Sequence, residues 1–298
     1  MNSATPSITP RWSRCQWSCL RRQGTTPQPI LPICSPSAKT SKLCLQDYLT
    51  ASQRLLRRDT KTSSKIRVSR PSSGNCVAVY DSRGKYILLD VGLGYKDILN
   101  GLNWNLSNCV ATYCTHRHSD HSKALAHFIE AGVPCFSNQD VCEHYKGCQL
   151  LDRIVKVDGF KVQTFELVHN VPNNAFIVDT IDDIRILYCT DTQYIPKRVK
   201  GVNVAITEAN YDDEVIVDNL CEGVESRSQF ENHHSLESCI DYLKAIYSAD
   251  LTTVILWHPS GTNLNKKEAV RRVKEELGFE AVYMAEKGLE LEICNSEF

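Results

Sequence analysis

From about residue 65 onward, short apolar runs alternate with turns and with segments of helical period. Ile66–Val68, Cys76–Tyr80 and Tyr86–Val91 read as successive strands, the last two joined through Ser82-Arg83-Gly84-Lys85. Asn108–Cys114 is a fourth strand, and a helix over Ser122–Ala131 is stopped by Gly132 and Pro134. Val155–Val157, Phe160–Leu167, Ala175–Val178, Ile184–Cys189 and Val202–Ile206 are further strands, with Asp158-Gly159 as a hairpin turn. A helix is predicted over Leu236–Tyr247 with Ser235 as its N-cap, followed by a strand at Thr253–Trp257 and a helix at Lys266–Leu277. Glu280–Tyr283 and Leu289–Ile293 close the chain. Strands followed by mixed strand and helix, twice over, predict an α/β protein of four layers: two facing mixed sheets flanked by helices.

The first 65 residues lack such a pattern. Six prolines between Pro6 and Pro36 interrupt them, and Ser, Thr, Gln and Arg fill the spaces. One short helix, Leu43–Arg58, is conceivable. We therefore expect a disordered basic segment over 1–65 and a folded domain over 66–298. An organellar transit peptide or an upstream extension of the reading frame are the other readings of the segment.

Composition changes the picture in two ways. The net charge of −1 conceals an asymmetry: residues 1–70 carry 13 Lys and Arg against two acids, the remainder 21 against 33. No apolar run approaches the roughly 18–20 residues that span a bilayer, so a membrane protein of the helical kind is excluded. The 14 cysteines include no C-x-x-C pair, and Cys109, Cys114 and Cys189 sit in apolar strands. Reduced thiols in a cytoplasmic protein are the expectation.

The candidate chemistry follows the fourth strand. Thr115-His116-Arg117-His118-Ser119-Asp120-His121 places three imidazoles and a carboxylate within six residues, and these are donors that suit Zn²⁺ and its neighbours. In an extended segment the side chains of 116, 118 and 120 share a face, and a turn at His121 brings the fourth group round.

This H-x-H-x-D-H run resembles the signature of the metallo-β-lactamase superfamily, whose later motifs are matched in order by His169, Asp191 in Cys189-Thr190-Asp191-Thr192, and His258 in Trp257-His258-Pro259. The resemblance implies the four-layer αββα sandwich of that superfamily. It also implies two divalent metal ions, zinc first and manganese as the alternative. His116, His118 and His169 would hold one ion, Asp120, His121 and His258 the other, and Asp191 both. Seven ligands exceed what one tetrahedral site takes. A water shared by two such ions ionises near neutral pH and serves as the nucleophile. Asp90, in Leu89-Asp90-Val91-Gly92, matches the motif whose aspartate braces the ligand histidines.

Four segments resemble the YycJ/WalJ subgroup, described as DNA exonucleases: Ser72-Ser73-Gly74-Asn75-Cys76, Glu208-Ala209-Asn210-Tyr211, Asn232-His233-His234-Ser235-Leu236-Glu237, and His258-Pro259-Ser260-Gly261-Thr262-Asn263. Arg70-Pro71 and His169-Asn170 depart from the subgroup's usual Gly-Ser and His-Asp. In the nuclease branch a histidine like His233, paired with a glutamate like Glu208, faces the phosphate without binding metal; His234 competes for that role. Only 66 residues separate Asp191 from His258, too few for the inserted cap of the β-CASP nucleases. The expected function is a binuclear phosphodiesterase acting on DNA, with RNA as an alternative substrate, in the 5′–3′ exonuclease manner, with Asp120, His233 and Glu208 at the reacting centre. The acidic body does not favour nucleic acid, so phosphate contacts would fall to the metals and to Arg117, Lys123 and Lys197. The rival readings are a thioester hydrolase of the glyoxalase II type and a nucleic-acid-binding module with an idle metal site.

Overall fold

The computed structural model describes residues 63–68, 74–223 and 231–294. Most of the expected 1–65 segment, the conceivable helix at Leu43–Arg58 and the Ser72-Ser73 pair lie outside them.

Two seven-stranded sheets form the body. The first contains β1 (Ser63–Val68), β2 (Val77–Tyr80), β3 (Tyr86–Leu89), β4 (Cys109–Tyr113), β5 (Cys135–Ser137), β6 (Gln149–Leu150) and β14 (Glu290–Cys294), in the order β14-β1-β2-β3-β4-β5-β6. The second contains β7 (Ile154–Val157), β8 (Phe160–Leu167), β9 (Asn173–Asp179), β10 (Arg185–Cys189), β11 (Val204–Glu208), β12 (Thr253–Trp257) and β13 (Val282–Met284), in the order β13-β12-β11-β10-β9-β8-β7. Each is mixed: β3 to β6 and β10 to β13 are parallel, and the other pairings are antiparallel. The domain boundary expected between 65 and 66 falls inside β1, which pairs with β14 from Ser63.

Side-chain alternation explains the layering. On β3, Ile87 and Leu89 enter the core between the sheets, where they meet Phe176, Tyr188 and Trp257. Tyr86 and Leu88 point the other way, against Ile98 of α1 (Tyr95–Gly101) and Leu125 and Phe128 of α3 (Leu125–Glu130). On the far side, Leu187, Cys189 and Leu256 pack against α6 (Leu236–Ile246) and α7 (Lys266–Leu277). The αββα sandwich expected from the sequence is the observed one. Ser235 caps α6 by accepting from Ser238 N, as its residue type predicts.

One local expectation is corrected. The metal motif is not extended through residue 120: α2 (Ser119–Ser122) begins inside it, and the predicted helix from Ser122 is divided between α2 and α3. Asp120 therefore does not share a face with His116 and His118. The helical turn carries it round with His121 instead, toward a different set of partners. The helices α1, α4 (Gln139–His144) and α5 (Asp213–Cys221) and the strands β5 and β6 were not predicted. All are short, and a strand of two or three residues has no measurable period.

Candidate metal centre

Within each sheet, the functional side chains leave the carboxyl ends of strands that run the same way. Asp90 follows β3, the His-rich loop follows β4, His169 follows β8, Asp191 follows β10, Glu208 ends β11 and His258 follows β12. Crevices beyond the carboxyl ends of parallel strands are where α/β sheets collect binding groups. Asp90, Asp191 and His258 all adopt left-handed backbone, with φ of 57°, 53° and 52°. Such positions cost about 1–3 kcal/mol for non-glycine residues and concentrate at functional sites. Each turns its side chain inward at the point where the strand stops.

The seven residues expected to bind metal come together in two groups that share Asp191. One is His116, His118, His169 and Asp191; the other is Asp120, His121, Asp191 and His258, with donor atoms in each within 4.8 Å of one another. The shared carboxylate lies between them: Asp191 Oδ2 is 3.2 Å from His121 Nε2 and 3.7 Å from His116 Nε2, and Oδ1 is 3.5 Å from His258 Nδ1.

Hydrogen bonding decides which ring nitrogens are free to bind. The buried Asp90 carboxylate can only accept, and its Oδ2 is 2.8 Å from His121 Nδ1, so that nitrogen carries a proton and Nε2 is the one left to meet a metal. The Thr115 hydroxyl donates to Asp90 at 3.0–3.1 Å and so accepts from His116 Nδ1 at 3.0 Å, leaving His116 Nε2 bare. His169 Nδ1 donates to the Asn232 carbonyl at 3.1 Å. Its Nε2 and His116 Nε2 then both face His118 Nδ1, at 3.4 and 3.0 Å. One proton on His118 could serve only one of these contacts. A cation serves all three, since nitrogens about 2.0–2.1 Å from a tetrahedral centre stand about 3.3 Å apart. The donor set fits a metal.

Electrostatics points the same way. Burial pushes His116, His118 and His169 below the usual imidazole range, keeping them neutral as ligands must be. At His121 and His258 burial acts downward too, but Asp191 and the neighbouring carboxylates outweigh it and raise both, His258 to about 9. Asp191 is held well below its ordinary value, against burial, by His258, His121 and His116. Carboxylates crowded among rings attract positive charge, whether as protons or as a metal ion.

Asp90 thus braces two histidines, one directly and one through Thr115, and also accepts from Tyr188 OH at 2.8 Å. We expect Asp90→Ala to weaken metal binding by about 10–100-fold, the usual effect of removing such a partner. Titration of the stripped protein with zinc would read it.

His233 and Glu208 stand beside the second group. His233 Nδ1 is 2.7 Å from Glu208 Oε1. Glu208 is fully buried at its strand end, and its other oxygen accepts from Thr192 N at 2.9 Å. Burial would raise this acid, but His233 and His258 bring it down to about 2, and it returns the effect by raising His233 against burial. Glu208, His233, His258 and Asp191 also form a third cluster of potential metal donors. His234 faces the Glu208 backbone carbonyl at 3.3 Å and does not line the cleft. That cleft, about 220 Å³, is bounded by His118, Asp120, His169, Asp191, His233 and His258 with Asn170 and Asn232 at the rim. Arg117, Lys123 and Lys197 are not among its walls; Arg117 pairs with Asp140 at 3.0 Å and Lys197 lies over Phe165.

Thr115, Tyr188 and Asn210 lie within the segments that carry the ligands, yet the sequence alone gives them no role. Asn210 Nδ2 donates to the His258 carbonyl at 2.8 Å and lies 3.2 Å from its Nδ1. Their place in the E-A-N-Y and T-H-x-H segments was the available signal.

No family model matches the chain. Exodeoxyribonuclease YycJ of Bacillus anthracis is 27% identical over 164 residues, which cover 49% of this chain. The chain spans 62% of the length of that curated relative. The metallo-β-lactamase fold protein YhfI of Bacillus subtilis superposes with a TM-score of 0.61 at 15% identity, over 78% of this chain and 100% of its own. The short form of human tRNase Z gives 0.55 at 14%, over 76% and 98%. The fold is that of the metallo-β-lactamases. Together with the His and Asp clusters it supports a metal-dependent hydrolase, and among the described residues no helix is long and apolar enough to cross a membrane.

Proposed function

We propose that this protein is a binuclear metal-dependent phosphodiesterase that degrades DNA from a 5′ end. The observation that carries the reading is the His233–Glu208 pair, 2.7 Å apart, buried at the glutamate and open to the cleft at the histidine. A histidine kept charged by a buried carboxylate suits a reaction that places negative charge on phosphate and needs a proton at the leaving oxygen. The cleft walls are polar throughout, whereas small-molecule sites are mostly apolar with a few polar groups. The similarity to an exodeoxyribonuclease adds to this.

In this reading His116, His118 and His169 would hold one ion, Asp120, His121 and His258 the other, and Asp191 would serve both. When bound, two divalent ions supply an ionised water at neutral pH and offset the charge of the phosphate. The chain's own residues do the rest. Asp90 and Thr115 keep two rings in the tautomer that presents Nε2. Asn210 fixes His258. Glu208 accepts from His233 Nδ1 and keeps the ring an imidazolium, whose Nε2 proton passes to the leaving 3′ oxygen as the phosphodiester bond breaks. We place the protein in the cytosol on its composition, and take zinc first and manganese second as the ions.

The test is a substrate panel: 5′-end-labelled duplex and single-stranded DNA, RNA of the same sequence, and a thioester, each with zinc and with manganese. Labelled mononucleotides released first from DNA support the proposal. Preferred RNA cleavage would move the substrate class, and thioester cleavage without nucleic acid hydrolysis would replace it by the small-molecule reading.

A further inference from the structure

We infer that Asn75 positions the ligands of the second metal group alone, so that binding of the second ion depends on its side-chain amide while binding of the first does not. The inference rests on the binuclear reading above and goes beyond it. Asn75 lies in the Ser72-Ser73-Gly74-Asn75-Cys76 segment, to which the metal centre otherwise assigns nothing. It is 1% exposed. Its Nδ2 is 2.7 Å from His121 Nε2, 3.2 Å from the Asp120 carbonyl and 3.4 Å from Asp120 Oδ2. Asp120 and His121 are, with His258, the residues that serve the second group and not the first.

The backbone is built to bring this amide close. Asn75 N donates to the Asp120 carbonyl at 2.7 Å, and Gly92 N donates to the Asn75 carbonyl at 2.9 Å. A Cβ on Gly92 would collide with the Asp120 carbonyl, and one on Gly74 with the Gly92 carbonyl. The two glycines thus let the Gly74-Asn75 turn lie directly on the metal loop. The amide's orientation is also fixed. Its Oδ1 is buried without a hydrogen-bond partner, yet turning the group over would set that oxygen against two oxygens of Asp120. A buried polar atom left unsatisfied is tolerated here because the nitrogen is needed on the other side.

What the nitrogen does follows from its neighbours. The Asp120 carboxylate is 41% exposed, and its other close contacts are His121 Nε2 at 3.5 Å and His258 Nε2 at 3.7 Å, both rings that would themselves bind metal. Asn75 is the group outside the donor set that keeps this carboxylate from swinging to solvent. The same amide hydrogen faces the His121 lone pair and competes with a cation for it. A neutral hydrogen bond is worth only about fivefold in an equilibrium. Loss of an outer partner of a ligand costs about 10–100-fold. The orienting role outweighs the competition.

The test is titration of the chelator-stripped full chain with Co²⁺ and with Zn²⁺, following both binding steps and the visible cobalt bands. Asn75→Leu, which keeps the volume, and Asn75→Ala should weaken the second step by about 10-fold or more. The first step and its cobalt spectrum should not change. Asn75→Gln, which retains an amide donor, should recover part of the loss; it also serves if the shorter side chain impairs folding. An unchanged or tighter second step would overturn the inference, and so would equal weakening of both steps, which marks general loosening of the loop. A wild-type chain that takes up only one ion would overturn the binuclear reading itself and this inference with it.

Discussion

In His233→Ala, phosphodiester cleavage is expected to fall by about 10²–10⁴-fold, the scale of losing a positioned general acid. The metal content should stay at the wild-type level, because the rings that hold the two principal groups are those of residues 116, 118, 121, 169 and 258. Metal analysis and a DNA cleavage time course on one preparation give both quantities. Glu208→Gln should fall less, since the amide still contacts the ring at Nδ1 but no longer draws a proton onto it. The third cluster makes this comparison informative. His233 and Glu208 lie with His258 and Asp191 in a set that could itself take a cation. Loss of metal from His233→Ala would mean that this set, not the one containing Asp120 and His121, holds the second ion. His234→Ala should leave cleavage nearly unchanged, because that ring faces a backbone carbonyl behind the cleft.

Asp191→Ala is expected to have the larger consequence. Its carboxylate reaches toward His116, His121 and His258 from both groups, and no other residue belongs to both of the principal groups. Without it, His116, His121 and His258 lose the anion they face across the centre, and two dications would stand close with less negative charge between them. Both ions should be lost together, by more than the roughly 10–100-fold effect of an outer partner, and DNA cleavage should drop below that of His233→Ala. Equilibrium dialysis followed by metal analysis reads this directly. Retention of one ion at wild-type affinity would show that Asp191 is not shared.

How much of this was legible in the sequence depended on distance along the chain. The His116–His121 run declared itself because four donors crowd into six residues. His169, Asp191 and His258 were found only by their order and their positions at strand ends. The periods of α6 and α7 matched because each helix buries one regular face, and β12 was found as a short apolar run buried throughout. The partners that make the site work were not visible. Tyr188 and Asp90 meet across 98 residues, and Asn210 and His258 across 48. The pairing of Glu208 with His233, 25 residues away, was expected only from the resemblance, because burial of a carboxylate cannot be read until its partner is in place. The left-handed turns at Asp90, Asp191 and His258 fall on residue types enriched in that region, an enrichment too weak to place a turn from the sequence. The helical start at Ser119 was missed because the ligands themselves form its first turn. That turn is what assigns Asp120 to the second group.

If two metals and phosphodiester cleavage share one cleft, a single titration joins them. The chelator-stripped chain is mixed with end-labelled DNA, and Mn²⁺ is added stepwise while mononucleotide release is followed. We expect no release without metal and a rate that reaches its plateau at about two equivalents per chain. Full cleavage by the stripped protein, or no cleavage of DNA at any loading, would contradict the claim.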